Sequence, residues 1–427
     1  MGLIVVIFFA LMFIGAPVAF AIGISGFVFF TTDQTMPVSI AVQKIATMSQ
    51  SFPLLAVPFF VFAGHLMNES GITARLFRFA NLAVGWMSGG LAQVAILLST
   101  LMGGVSGSAV ADAAMEARIL GPTMVAKGYG KGFSAAAIAV GSLITATIPP
   151  SIGLILYGYV GNVSIGRLFL AGIVPGILMM VGLMITTYLI AKKRGYVVAD
   201  TARPTARALL GAAWDAKWAL FFPVALVLAI RGGVFTPSEV GAFAVIYAAA
   251  VGVFFHRDMS WPKFLKACGD TISDVGMIMI IILMSGMVGF AIIYLQVPQG
   301  ISSWMLAGVS DHNLIILMIL VFLLIAGLFV ESTVLVLLLT PIFVPIINSI
   351  GVDPVHFGIL MMSIVTLGGM TPPVGVAMYA VCSLMNVRVE EYTVESIPFV
   401  ATIIAIIGAL LFLPDVVLWL PRLAFGS

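Results

Sequence analysis

The chain has 427 residues, of which only 36 are Asp, Glu, Lys or Arg; that is 8%, against roughly 25% in soluble domains. Apolar residues reach 62% and the net charge is +2, so a soluble fold could not cover its surface and a nucleic-acid footprint is excluded. The apolar runs are continuous rather than alternating, which excludes an outer-membrane barrel and predicts an all-α polytopic membrane protein.

In chain order, the first apolar run is Leu3–Phe30. It is too long for a signal-peptide core, lacks a basic leader, and is expected as one retained span. The weakly amphipathic Val38–Met48 precedes a shorter candidate, Ser51–Met67. Gly71–Gly85 carries Arg75 and Arg78 among Leu76, Phe77 and Phe79, the pattern of an interfacial helix. Leu91–Gly103 is too short to cross a core of about 30 Å, and Ala109–Val125 follows after the tip Gly103–Asp112. The pair is expected to enter the membrane and return. Ser134–Val160 and Leu168–Ala191 are long enough to span, Thr201–Trp218 is a polar linker or surface helix, and Ala219–Ile230 is a further span. Val240–Phe255 and Val275–Leu295 follow. Leu314–Leu328 and Val334–Ile347 form a second short pair around the tip Gly327–Thr333, before the spans Val355–Cys382 and Ile397–Leu413.

A gapless offset of 223 residues relates the two halves. It carries Gly85 to Gly308, Gly104 to Gly327, Pro122 to Pro345, Gly128 to Gly351 and Pro149-Pro150 to Pro372-Pro373. It also carries Ala19-Phe20-Ala21 onto Ala242-Phe243-Ala244. Two structural repeats are expected. Residues 1–194 hold scaffold helices (1–87), a hairpin (88–126), a broken helix (131–160) and a helix (168–192). Residues 195–235 are a linker and joining helix. Residues 236–427 hold scaffold helices (236–310), a hairpin (312–348), a broken helix (355–382) and a helix (397–413). Four crossings in the first repeat plus the joining span make the second repeat inverted, a recurrent transporter design. Sorted on this topology, fifteen of the 19 Lys and Arg fall on one face, including Lys192, Lys193, Arg194, Arg203 and Arg207. Lys44, Arg167, Arg231 and Arg422 fall on the other. The basic face is cytoplasmic. A second crossing within residues 38–67 would move only the Met1 end.

Polar groups at membrane depth are functional candidates. Ser106, Ser108 and Asp112 lie at or just past the first tip, and Glu331, Ser332 and Thr333 at the second. The following spans are interrupted at Thr145–Ser151 and Gly368–Gly375, each with a Pro-Pro pair. Adjacent prolines remove two backbone donors and free upstream carbonyls. Those carbonyls, with Ser and Thr hydroxyls, suit a small cation such as Na⁺, and the half-helix N-termini beyond suit an anion. The competing structural roles are a simple kink, a hydroxyl bonded to its own helix, and glycines placed for close packing. Asp112 and Glu331 could each bind a cation, or pair with Arg118 or a backbone amide. Cys268, Cys382 and the four histidines show no metal-ligand spacing, so no transition metal, organic cofactor or enzymatic constellation is indicated.

The motifs Ser51–Met67, Gly103–Ala114, Ile148–Gly158, Ser164–Gly176, Gly232–Ala248, Asp353–Leu360 and Thr371–Gly375 span essentially the whole chain. Together they resemble the large membrane subunit of TRAP transporters (tripartite ATP-independent periplasmic transporters, DctM/SiaM type). One departure is Thr236-Pro237-Ser238-Glu239, where Thr is commoner at the third place. The resemblance implies a multi-pass protein of the bacterial inner membrane. It implies an elevator in which both hairpins and both broken helices move against a scaffold. It implies at least two Na⁺ ions held between tips and breaks. The matching cation positions are Ser106, Ser108, Asp112, Thr145, Thr147, Pro149, Gly327, Glu331, Ser332, Thr333, Gly368, Thr371 and Pro372. The substrate positions are Ser106, Ser108, Pro150, Ser151, Thr333, Pro373 and Gly375. The implied substrate is a carboxylate such as sialic acid or a C4-dicarboxylate. The implied partners are a soluble periplasmic binding protein and a small four-helix membrane subunit (DctQ/SiaQ type), expected as a separate chain in the same bilayer. The alternative is a stand-alone Na⁺/dicarboxylate symporter of the divalent-anion type; a channel and a membrane enzyme are weaker rivals.

Overall fold

The computed structural model describes residues 2–32, 36–196, 203–232, 235–308 and 311–426. Met1, part of the expected linker (197–202), residues 233–234 of the Gly232–Ala248 motif, 309–310 and Ser427 lie outside the described residues. The described residues are helical, with no strand among them. Six of these helices are long and apolar enough to cross a membrane, or seven if the bent pair Ala206–Asp215 and Lys217–Arg231 counts as one. The protein is a multi-pass helical membrane protein.

The exposed surface is apolar, the reverse of a soluble helix. On the helix Ile165–Arg194, Ile177, Val181, Ile185 and Leu189 face outward, while Met179, Leu183 and Thr187 are buried. The expected interfacial helix forms as Ile72–Val84, and its Arg75 bonds Asp258 at 2.8 Å.

Two stretches differ from expectation. Leu3–Phe30 is two helices, Gly2–Phe13 and Val18–Thr32, packed against each other. Gly15 turns left-handed (φ +86°) and Pro17 cannot continue a helix, so the chain folds back there. The return arm expected as Val334–Ile347 is longer, Ser332–Ser349, and at 18 residues reaches spanning length. Glu331 caps it, so it begins at Ser332 rather than Val334. The surface helix Ala206–Asp215 and the span Lys217–Arg231 meet at a 63° bend.

The two broken helices form the centre. Lys131–Gly141 is followed by a 3₁₀ turn, Ser142–Ala146, and by Ile152–Val160. Pro354–Gly369 is followed by Val376–Met385. Both first halves are apolar and buried nearly all round. The hairpins clasp this centre crosswise. The first hairpin (Gly90–Gly103 and Ala109–Ile119) lays its outgoing arm on the first broken helix and its return arm on Val376–Met385. The second (His312–Gly327 and Ser332–Ser349) lays its outgoing arm on Pro354–Gly369 and its return arm on Ile152–Val160.

Candidate functional site

At the first tip, Ser108 has extended backbone and caps Ala109–Ile119, its hydroxyl accepting the Ala111 N–H at 3.4 Å. Gly107 (φ +64°) brings the tip backbone onto the Pro150 carbonyl, and any side chain there would strike that oxygen. Tip and break are thus in contact. The buried Asp112 accepts a 2.7 Å bond from the Ser106 hydroxyl and has the Thr145 hydroxyl beside it. Thr145 also donates to the Ser99 carbonyl at 2.9 Å. Arg118 is exposed, and the hydrogen bond to Asp112 comes from the Ser106 hydroxyl instead. Thr147 is buried with an unpaired hydroxyl. Ser151 caps Ile152–Val160 and donates to the Ala146 carbonyl at 2.6 Å.

Glu116, which the sequence reading passed over, belongs to this cluster. It is fully buried, one turn beyond Asp112 on the same face. Ser99 donates to one of its oxygens at 2.9 Å, and the other oxygen has no partner. Four-residue spacing from Asp112, in a chain so poor in acids, is the signal that could have found it.

At the second tip, Gly327 and Gly368 touch. A methyl on Gly368 would lie 2.5 Å from the Gly327 carbonyl carbon. Glu331 is saturated locally: one oxygen accepts the backbone N–H groups of Thr333 and Val334, the other the hydroxyls of Ser332 and Thr333. Its carboxylate is a helix cap. At the break, Thr371 donates to the Leu367 carbonyl and its N–H to the Gly368 carbonyl. The carbonyls of Gly369 and Thr371 converge on Gly375, where a methyl would sit 2.8 and 2.7 Å from them. The cradle they form tolerates only glycine at 375, and its two carbonyls are the kind of hard oxygen that a small cation takes. Both Pro149-Pro150 and Pro372-Pro373 peptide bonds are cis.

A cavity of about 60 Å³ brings the two tips together. Gly107, Ser108, Ala109 and Val110 line it from the first hairpin, and Glu331, Ser332 and Thr333 from the second. Ala146, Ile152, Gly153, Ile278 and Met362 complete the wall. Of the expected substrate residues, Ser108 and Thr333 are in the lining. Pro150 and Ser151 stand behind Gly107, and Pro373 and Gly375 are outside the lining, with Pro373 exposed. Among the described residues no group of three His, Cys, Asp or Glu could hold a metal ion.

The sequence model of the tripartite ATP-independent periplasmic transporter DctM component matches residues 5–416. The sialic acid TRAP transporter large permease protein SiaM of Vibrio cholerae is 34% identical over 97% of each chain. The C4-dicarboxylate TRAP transporter large permease protein DctM of Rhodobacter capsulatus is 30% identical, again over 97% of each. The isethionate TRAP transporter permease protein DctMQ of Oleidesulfovibrio alaskensis is 35% identical over 96% of this chain, which spans 64% of that longer protein. Among solved structures, the YdaH transporter of Alcanivorax borkumensis shares the fold, with a TM-score of 0.64 at 12% identity, covering 90% of this chain and 89% of that one. The full-length match and the relatives above 30% identity place the chain in one family: it belongs to the DctM components of the tripartite ATP-independent periplasmic transporters, which are permeases and not enzymes.

Proposed function

We propose that the chain is the large subunit of a Na⁺-coupled, binding-protein-dependent importer in the bacterial inner membrane, carrying an organic carboxylate by an elevator movement. Relatives named for sialic acid, C4-dicarboxylates and isethionate support a small organic anion as the substrate. The observation that carries the reading is the cavity shared by the two tips. Its lining offers the Ser108 hydroxyl and the N-terminal end of Ile152–Val160, with no lysine or arginine among its residues, and its one carboxylate, Glu331, already accepts the Ser332 and Thr333 hydroxyls. An anion held there is neutralised by helix ends and by co-bound cations rather than by a fixed positive side chain. That arrangement ties anion binding to cation binding, the requirement of symport.

Two cation positions follow. Asp112, Thr145 and the unpaired Thr147 hydroxyl offer hard oxygen at the first break, and the Gly369 and Thr371 carbonyls offer it at the second. The residue offset of 223 supports two inverted repeats, and the reciprocal seating of the hairpins supports both hairpins and both broken helices moving as one body. A small four-helix subunit and a periplasmic binding protein complete the system. In the relative named DctMQ the match covers 64% of the length, and the remaining third or so is what a fusion with the small subunit would add.

The test is uptake into proteoliposomes holding this chain and its small-subunit partner, with binding protein supplied outside. Uptake is expected against a gradient, with Na⁺ and only with binding protein. Undiminished uptake in choline, with proton ionophore present, would overturn sodium coupling. Uptake by the chain alone would favour the stand-alone symporter.

A further inference from the structure

Tyr392 has no place in the site as described above, yet it reaches the second break. It lies on Val389–Phe412, is fully buried, and its hydroxyl donates to the Met370 carbonyl at 2.7 Å. Met370 sits between Gly369 and Thr371, whose carbonyl oxygens both lie close to Gly375. Its own carbonyl is taken by Tyr392. Pro372 and Pro373 supply no N–H, so the backbone here lacks the ladder that normally fixes each peptide plane. A rotation of the Met370–Thr371 peptide would turn one carbonyl into the cradle and pull the geometry of its neighbours apart.

We infer that Tyr392 is a positioning residue for the second break, pinning the Met370 carbonyl so that the Gly369 and Thr371 carbonyls stay convergent on a cation. The inference rests on the sodium reading of that break. It assigns a site role to a helix outside both hairpins and both broken helices.

Tyr157 provides the control. Its hydroxyl makes the same kind of bond, 2.7 Å to the Pro354 carbonyl, and it is equally buried, but its target lies at the far end of Pro354–Gly369. Removing either hydroxyl deletes one buried bond of the same length and type. Only one of the two adjoins the cradle.

The experiment compares Tyr392→Phe with Tyr157→Phe in the assembled transporter, reading Na⁺ activation of uptake, the maximal rate and the melting temperature. Tyr392→Phe is expected to raise the half-activating Na⁺ concentration at least threefold, with the maximal rate within twofold of native. Tyr157→Phe is expected to lower the melting temperature comparably and leave Na⁺ activation unchanged. Gly375→Ala, which places a methyl between the two carbonyls, is expected to raise the Na⁺ requirement further. Equal Na⁺ activation in Tyr392→Phe and native overturns the assignment, as does an equal shift in Tyr157→Phe. Native uptake that is independent of Na⁺ overturns the sodium reading first, and this inference with it.

Discussion

Glu116 and Ser99 join the two arms of the first hairpin: the Ser99 hydroxyl donates to one Glu116 oxygen at 2.9 Å, and the second oxygen is buried without a partner. Ser99 in turn accepts the Thr145 hydroxyl on its carbonyl, so one chain of bonds runs from return arm to outgoing arm to break. Ser99→Ala should therefore strip a buried carboxylate of its donor and cost about 1–3 kcal/mol. Thr100→Ala, next in sequence, removes a hydroxyl bonded only to its own helix at Ile96 and should cost less. Thermal unfolding in detergent compares the two; equal losses would show that the inter-arm bond adds nothing.

Asp112→Asn keeps the shape of the side chain and removes its charge. If the carboxylate faces a cation, the half-activating Na⁺ concentration should rise on the order of tenfold or more, corresponding to the roughly 1.5–3 kcal/mol of a charge-assisted contact. Assembly with the small subunit should persist. Normal Na⁺ activation would reduce Asp112 to the anchor of Ser106.

Neighbouring glycines at the second break should behave in opposite ways. Gly368→Ala drives a methyl onto the Gly327 backbone, and overpacking of that kind costs about 1–3 kcal/mol. Gly369→Ala meets nothing within 4 Å and should leave stability close to native. Melting temperatures of the two purified variants decide the matter; two equal losses would mean the tip does not rest on the break.

Acid should loosen the interfacial helix through Asp258. The hydrogen bond from Arg75 holds this loop carboxyl below its ordinary value of 3.8. A group depressed in the folded state stabilises above its unfolded value and loses that contribution as pH falls through the folded one. The contribution is full near neutrality and fades below about pH 3.8. Asp258→Asn should flatten that part of the stability curve, measured by thermal melts across acid pH, while His256, which faces the Ser70 carbonyl, stays intact as a check on the local fold.

The membrane class, the paired hairpins and the two breaks were legible because each rests on local chemistry. A shortage of charge admits only lipid, and Pro-Pro removes donors wherever it stands. The division at Gly15–Pro17 was hidden because hydropathy runs straight through it, and only backbone geometry marks the turn. Arg118 was weighed as a partner on sequence proximity, but helical phase points it outward while Asp112 turns inward. Glu116 was missed since its importance is relational: it matters through Ser99, 17 residues away across a tip. The roles left open for Glu331 became concrete only with four donors seen around it.

The crosswise clasp sets an order on biogenesis. The return arm Ala109–Ile119 finds its seat on Val376–Met385, a segment made only after more than two thirds of the chain has left the ribosome. Until then the side of the arm turned toward Val376–Met385 has no permanent cover, while Asp112 and Glu116 are already held by Ser106 and Ser99. The first half must wait in the membrane, held by its own outgoing arm, and a chain that stops before residue 376 would offer that face to quality-control proteases. Maturation is therefore closed by the last third of the polypeptide, and the first hairpin is completed near the end of synthesis.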